Sequence, residues 1–250
     1  MTRILALALV AACVTTTASA QDFGLSGSRS LSFDLGLSAE IGPVYPGSDD
    51  VETSPSLIWR NFSLGPGGGA EDGLGFSLSP SLGMVGPRKS SDDADLAGLT
   101  DIDRAYELGL KVSYGAGPIT AYGSVRKGFD GHEGLTGEIG AKYRTQLSER
   151  VTLWSGLELG YGDADFNDTY FGVTPAESAA GGYDSFAPGG GINEAAISFE
   201  AHYALNPTTA ILGEVRYGKL IGDAADSPIV QDDYQPSLRL GVIRRFSFGF

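Results

Sequence analysis

Residues 236–250, the last fifteen of the chain, constrain the fold most strongly, because from Leu238 onward every second position except Arg244 carries an apolar side chain. Apart from Ile243, the positions between them carry serine, arginine and glycine. A period of two is that of a β-strand with one apolar and one polar face. A long apolar edge strand is an aggregation hazard in a soluble sandwich, so we expect this strand to close a barrel by pairing with the first strand. The apolar positions are Leu238, Leu240, Val242, Phe246, Phe248 and Phe250.

Two features of this strand carry separate predictions. Phe246, Phe248 and Phe250 share its apolar face, and we predict that they form the assembly signal read by outer-membrane insertion machinery. Arg244 falls on the same face, where a charge near the bilayer midplane costs about 2–4 kcal/mol. Either a bulge shifts the register there, or Arg244 lies where it reaches the lipid headgroups.

The first twenty residues are typical of a secretory signal peptide. Arg3 precedes an apolar stretch too short to span a bilayer, and Ala18-Ser19-Ala20 resembles a cleavage site. An alternative is lipoprotein processing at Cys13. Cleavage after residue 20 removes the single cysteine, so the mature chain needs no disulfide. It removes only Arg3 among the charged residues, so the mature charge is one unit more negative than −14, which argues against nucleic acid as a partner.

The mature chain contains about ten segments with this alternating pattern and no apolar run long enough for a membrane-spanning helix. Only helices and closed barrels satisfy every backbone group in lipid. We therefore predict an all-β fold, a transmembrane antiparallel β-barrel of about ten strands, as one domain over residues 21–250. Pro80 interrupts one segment, which is compatible with a bulge there. The segments are 31–41, 55–64, 74–84, 106–114, 119–127, 135–144, 151–161, 195–203, 211–217 and 236–250.

The connections between the segments support the barrel, because long and short ones alternate, apart from the glycine-rich connector at 65–73. The connections near residues 115–118, 147–150 and 206–207 are short, whereas 42–54, 87–103, 162–193 and 220–235 are long. Barrels of the outer membrane have short periplasmic turns and longer outer loops. The alternation therefore predicts that both termini face the periplasm and that the acidic loops face outward.

Charges of both signs occupy the polar faces of the predicted strands. A barrel of about ten strands is nearly narrow enough for side chains to fill, and unpaired interior charges would be costly. We therefore expect a lumen filled by ion pairs. The residues concerned are Asp34, Glu40, Glu107, Lys111, Glu138, Lys142, Arg144, Glu158, Glu194, Glu200, Glu214, Arg216, Arg239 and Arg245.

No constellation in the sequence predicts catalysis, a cofactor or a metal centre. Asp163 to Asp168 resembles the start of a calcium loop, but the sixth position lacks glycine and Thr174 replaces the glutamate at the twelfth. Weak binding of divalent cations by loop carboxylates stays open. His132 and His202 are far apart in sequence. Ser124 lies near His132 in sequence, which suggests an acyl-hydrolase hypothesis. The residues around them do not match the motifs of such an enzyme.

Five segments of the sequence resemble the MipA/OmpV family of outer-membrane proteins. The resemblance implies an outer-membrane barrel and, for the family's namesake, a scaffold between a murein lytic transglycosylase and a murein synthase. Other members are treated as immunogenic or antibiotic-responsive surface proteins, and no catalytic residue is implied. The 65–73 connection is shorter than is usual in the family, so twelve strands stay open. The segments are Tyr45–Asp50, Gly98–Asp103, Gly131–Leu135, Thr169–Ala180 and Leu220–Val230.

Together, these features predict a monomeric, non-enzymatic barrel in the outer membrane of a Gram-negative bacterium. Its expected partners are outer-membrane lipid, the insertion machinery and the two murein enzymes, and no nucleic acid. The alternative function is a small-solute or ion channel gated by loop 162–193.

Overall fold

The computed structural model describes residues 30–65 and 75–249, which form a single antiparallel sheet curled into a barrel. The described residues contain no helix long and apolar enough to cross a membrane. The predicted signal peptide and Phe250 lie outside the described residues. The ten strands are β1 (Ser30–Pro43), β2 (Val51–Gly65), β3 (Gly75–Val85), β4 (Ala105–Ala116), β5 (Ile119–Asp130), β6 (Leu135–Gln146), β7 (Val151–Gly162), β8 (Gly191–Asn206), β9 (Thr209–Leu220) and β10 (Tyr234–Gly249).

The alternating sequence pattern explains the strands. In β4, Leu108, Leu110 and Val112 point outward and are about half exposed, whereas Glu107 points inward and is buried. Successive side chains of a strand point to opposite faces, so a wide apolar band covers the outside of the barrel. An apolar exterior over a polar interior is the arrangement of a barrel in lipid.

The first and last strands pair, as the sequence predicts. β1 forms antiparallel ladders with both β10 and β2, and Leu37 lies opposite Val242. From β10 the order continues through consecutive strands back to β3. The transmembrane barrel of about ten strands is therefore confirmed.

One interface of the barrel differs from the other nine. β2 and β3 lie side by side, but over the described residues no backbone ladder joins them. We call this interface the seam. Pro55 lies on β2 and Pro80 on β3, the two strands that border the seam. Proline has no N–H to donate to a ladder, so it is tolerated in an edge strand, where one side of the strand has no ladder. The β3–β4 ladder has no bulge at Pro80, since its register is continuous through that residue.

Aromatic side chains form two belts on the outer surface, one near each end of the barrel. Such belts mark the two membrane interfaces of outer-membrane barrels. The belt near the long loops contains Tyr106, Phe129, Tyr161, Tyr217 and Tyr234, and the belt near the short turns contains Phe33, Trp59, Phe76, Tyr114, Tyr143, Tyr203, Phe246 and Phe248.

Arg244 lies at the belt near the short turns. It points outward and is paired with Leu35 and with Thr209, the first residue of β9, and neither ladder has a register shift there. Its guanidinium carbon lies 5.7 Å from the ring centre of Phe246. Of the two explanations offered by the sequence, the structure therefore supports a position within reach of the headgroups.

Candidate functional site: the barrel lumen and its cap

Ion pairs line the lumen from β1 around to β9. On β10, Arg239 donates to Glu40 of β1 at 2.8 Å and to Glu214 of β9 at 3.1 Å. Closer to the short turns, Arg245 donates to Asp34 of β1 at 2.8 Å. These contacts join three neighbouring strands from the inside.

A second group of charges continues the network across the barrel. Arg216 of β9 donates to Glu194 at 2.6 Å and to Glu158 at 3.1 Å. Glu158 also accepts a hydrogen bond from the hydroxyl of Tyr122 at 2.7 Å. Carboxylates on β7 and β8 are therefore held by one guanidinium.

Two further arginines of the lumen are also paired. Arg126 lies 2.7 Å from Glu107 and 3.6 Å from Glu138. Arg60 lies 2.8 Å from Glu200, which also contacts His202 at 2.7 Å. The prediction of paired charges in the lumen is confirmed for these five arginines and their carboxylate partners.

Five loops, four long and one of four residues, pack together over one end of the barrel. We call residues 44–50, 86–104, 131–134, 163–190 and 221–233 the cap. Two apolar clusters hold it, each with side chains from several loops. The first contains Tyr45, Leu96, Leu99, Val173 and Ile229, and the second contains Ile102, Tyr170, Phe171, Leu220 and Ala224.

The predicted long connection 162–193 is ordered within the cap by two helices, α1 (Ala164–Phe171) and α2 (Pro175–Gly181). Asp163 caps α1 by accepting a hydrogen bond from the N–H of Phe166 at 2.9 Å. The buried Asn167 donates to the Gly189 carbonyl at 2.7 Å and accepts from Asn193 at 3.2 Å. Asp163 and Asn167, which belong to the segment that resembles a calcium loop, therefore make hydrogen bonds that stabilise the conformation of residues 162–193. In the described ranges, no three His, Cys, Asp or Glu side chains converge on a metal-sized site.

Glu177 clips α2 to the neighbouring loop. It forms a capping box with Thr174 and accepts a hydrogen bond from the N–H of Thr100 at 2.8 Å. Burial opposes its ionisation, but the hydrogen bonds from Thr174 and Thr100 outweigh that effect and lower the pKa of Glu177 to about 2. At Gly98, φ is +84°, and a Cβ would lie 2.6 Å from the backbone nitrogen of Gly181. Close contact between these loops therefore requires glycine.

Beneath α1, His132, Arg88 and Tyr170 connect the cap to the barrel wall. His132 lies 3.3 Å from Glu107, without the geometry of a hydrogen bond, and packs edge-on against Tyr170. Arg88 is buried and donates to the Tyr170 carbonyl at 3.0 Å. Burial lowers the pKa of Arg88, and burial together with the charge of Glu107 raises the pKa of Tyr170 to about 12. Sequence reasoning missed Arg88 and Tyr170, because loops give no periodic signal of burial.

The residues of the hydrolase hypothesis have other partners. Ser124 points into the lumen and accepts a hydrogen bond from Arg126 at 3.2 Å, whereas His132 lies in the cap beside Glu107. His202 lies in the lumen near the short turns with Arg60 and Glu200. The two histidines therefore occupy opposite ends of the barrel.

Of the three residues predicted to form the assembly signal, the structure describes Phe246 and Phe248 but not Phe250. Phe246 and Phe248 lie opposite Phe33 and Leu31 on β1, and both rings lie near the Phe33 ring, with centres at 5.7 and 6.1 Å. They belong to the aromatic belt near the short turns. Their role in assembly stays a prediction.

All five segments that resemble the MipA/OmpV family contribute to the cap. Tyr45, Leu99, Val173 and Ile229 come from four of these segments and meet in the first cluster. The remaining segment supplies His132, which packs against Phe166 of α1. The part of the chain that resembles the family is therefore also the part that packs into one structural unit.

Comparisons with known proteins agree with the fold. Residues 35–246 match the family described as MltA-interacting protein MipA. The chain is 26% identical over 120 residues to the putative outer membrane protein YiaT of Escherichia coli, covering 47% of each chain. It is 24% identical over 163 residues to the MltA-interacting protein of Escherichia coli, covering 63% of each. The alignments thus span less than two thirds of these relatives.

Among solved structures, the chain is similar to an outer membrane channel from Pseudomonas putida, with 13% identity, a TM-score of 0.45 and coverage of 88% of this chain and 96% of the channel. The family match extends over most of the strands and the whole cap. The chain is therefore an outer-membrane β-barrel protein that belongs to the MipA family.

Proposed function

We propose that this barrel is a non-catalytic, monomeric interaction protein that scaffolds murein-remodelling enzymes at the inner surface of the outer membrane. The observation that carries this proposal is the obstructed interior. Ion pairs around Arg239, Arg216 and Arg126 line the lumen. Arg60 of β2 pairs with Glu200 of β8 across it, and the cap packs over its outer end. A transport route would have to break both, whereas a scaffold needs only a rigid barrel.

The name of the relative, MltA-interacting protein, supports a murein enzyme as the partner. Murein lies on the periplasmic side, which the short turns face. The turn between β6 and β7 offers an exposed apolar side chain, Leu147, beside the exposed Arg150. Ser148 accepts hydrogen bonds from the N–H groups of Arg150 and Val151 and fixes this turn. We propose it as part of the docking surface.

Pull-down from periplasmic extract tests the proposal. The refolded barrel is immobilised in detergent, and captured proteins are probed for a lytic transglycosylase and a murein synthase. The variant Leu147→Ser with Arg150→Ser should lose capture, whereas Lys89→Ser, an exposed change in the cap, should retain it. Absence of both enzymes from the wild-type capture would overturn the scaffold proposal.

Two further measurements separate the competing functions. Refolded protein in a planar bilayer should give no steady conductance, and an open pore would favour a channel gated by loop 162–193. Ester hydrolysis that disappears in Ser124→Ala would contradict the non-catalytic proposal.

A further inference from the structure

Behind the seam, the lumen retains a cavity of about 220 Å³. Its wall carries five cationic side chains and one carboxylate, although the whole chain has a net charge of −14. Hydroxyl groups of β3, β4 and β5 occupy much of the rest, including Ser79, Ser113 and Thr120. Cationic groups and hydroxyl donors are what a carboxylate or phosphate group requires.

Two lysines are placed for such a group. The Nζ of Lys111 lies 4.1 Å and that of Lys142 lies 5.7 Å from the ring centre of Tyr122, which holds both ammonium groups at the same part of the wall. The neighbouring Arg126 presents its guanidinium between Ser81 and Ser124, at 3.3 and 3.2 Å. The cavity therefore brings two ammonium groups, a guanidinium and several hydroxyl groups to one small volume.

The seam lies between this cavity and the lipid face. The cavity is lined by residues 59–62 of β2 and by Ser77 and residues 79–82 of β3, the two strands that no ladder joins over the described residues. Outside the seam, Leu57, Leu78 and Leu82 are exposed. Asn61 has φ of +57° next to the register shift between β1 and β2, so β2 departs from regular geometry at this depth.

We propose that the cavity binds the head group of a single-chain anionic amphiphile, which enters from the bilayer through the seam. The oxyanion contacts Lys111, Lys142 and the hydroxyl groups of the wall, and the acyl chain lies along the seam against Leu78 and Leu82. The polar cavity and the apolar exterior match the two parts of such a molecule. This site is independent of the scaffold function.

The two tryptophans of the chain provide a direct assay. Trp59 and Trp154 both line the cavity. Trp59 stacks on Phe33 in the aromatic belt, whereas Trp154 faces the lumen against His202, with ring centres 4.4 Å apart. In a Trp59→Phe background, fluorescence reports on the lumen alone. Bromine quenches tryptophan at contact, so a bromine next to the carboxylate locates the head group.

The experiment uses the full-length Trp59→Phe protein, refolded in phosphatidylcholine vesicles and checked by heat-modifiable gel mobility. α-Bromohexadecanoate should quench Trp154 saturably, whereas its neutral methyl ester should not. Lys111→Met with Lys142→Met should raise the half-quenching concentration about tenfold or more, from the loss of charged hydrogen bonds. Lys127→Met, an outward lysine of β5, should leave it unchanged, and Lys111→Arg with Lys142→Arg should preserve quenching.

The probes also decide the outcome if the double variant fails to fold. Equal quenching by the acid and by the methyl ester would overturn the anion site. Equal affinity for the soluble short acid α-bromobutyrate would overturn entry from the bilayer, because that probe has no chain for the seam.

Discussion

Arg239 on the last strand and Glu40 on the first strand form an ion pair inside the barrel, with 2.8 Å between Nη2 and Oε2. The two residues lie opposite each other in the β1–β10 ladder. The same guanidinium reaches Glu214 on β9. One side chain thus joins the strands on both sides of the closing strand.

We predict that Arg239→Met destabilises the barrel, because Glu40 and Glu214 would face each other without a cation. Removing one partner of a buried pair costs about 3–5 kcal/mol. The two side chains are 31% and 27% exposed, so we expect the lower end of that range. Urea unfolding in detergent, followed by heat-modifiable mobility, measures the change.

The control for this prediction is Arg244→Met on the outward face of the same strand, which should change stability by less than about 1 kcal/mol. Equal destabilisation by both variants would mean that the lumen network does not stabilise the barrel.

We predict that Tyr170→Ala opens the cap without unfolding the barrel. Tyr170 is 1% exposed and contacts the rings of His132 and Phe166. Loss of a large buried aromatic side chain costs about 3–5 kcal/mol, and local opening requires less than global unfolding. Chymotrypsin should therefore cleave after Phe171 in the variant. Tyr106→Ala, an outward change in the aromatic belt, should leave the cap resistant.

We predict that acid loosens α2 through Glu177. Because its pKa falls from 4.5 to about 2 in the folded state, its contribution to stability is complete above the usual pKa and is lost as the pH falls from about 4.5 to 2. Hydrogen exchange over residues 174–181 reports this. Glu177→Gln should exchange faster at neutral pH, and the difference from the wild type should vanish near pH 2. A difference independent of pH would contradict the role of the carboxylate.

Much of the fold could be predicted from the sequence, because the alternation within a strand and the length of a connection are properties of short segments. In a strand such as β4, alternation from Tyr106 to Tyr114 specifies the inward and outward faces, and the length of each connection indicates its end of the barrel. The alternation places Arg244, a charged residue, on the apolar face of β10. Its position opposite Thr209 depends on the stagger between β9 and β10, which the sequence of one strand does not specify.

The cap and the seam could not be predicted in the same way. Burial of Leu96 or Ile229 arises from contacts between loops distant in sequence, which leave no periodic pattern. The acidic residue Asp163 is typical of a solvated or cation-binding loop, but in the structure it caps α1. Pro80 indicates either a bulge or an edge strand, and only the positions of the strands on both sides of β3 decide between them.

We predict that the aromatic end of β10 directs assembly. Phe246 and Phe248 face outward in the belt near the short turns, and Phe250 has the same parity in the sequence but lies outside the described residues. Deletion of Phe250, or Phe248→Ala, should lower the amount of heat-modifiable barrel in the membrane fraction, because insertion machinery would recognise this end before the barrel closes. Phe76→Ala, which removes an equally outward aromatic ring from β3, should have little effect on yield. Normal membrane yield of the Phe250 deletion would show that the barrel assembles without this signal.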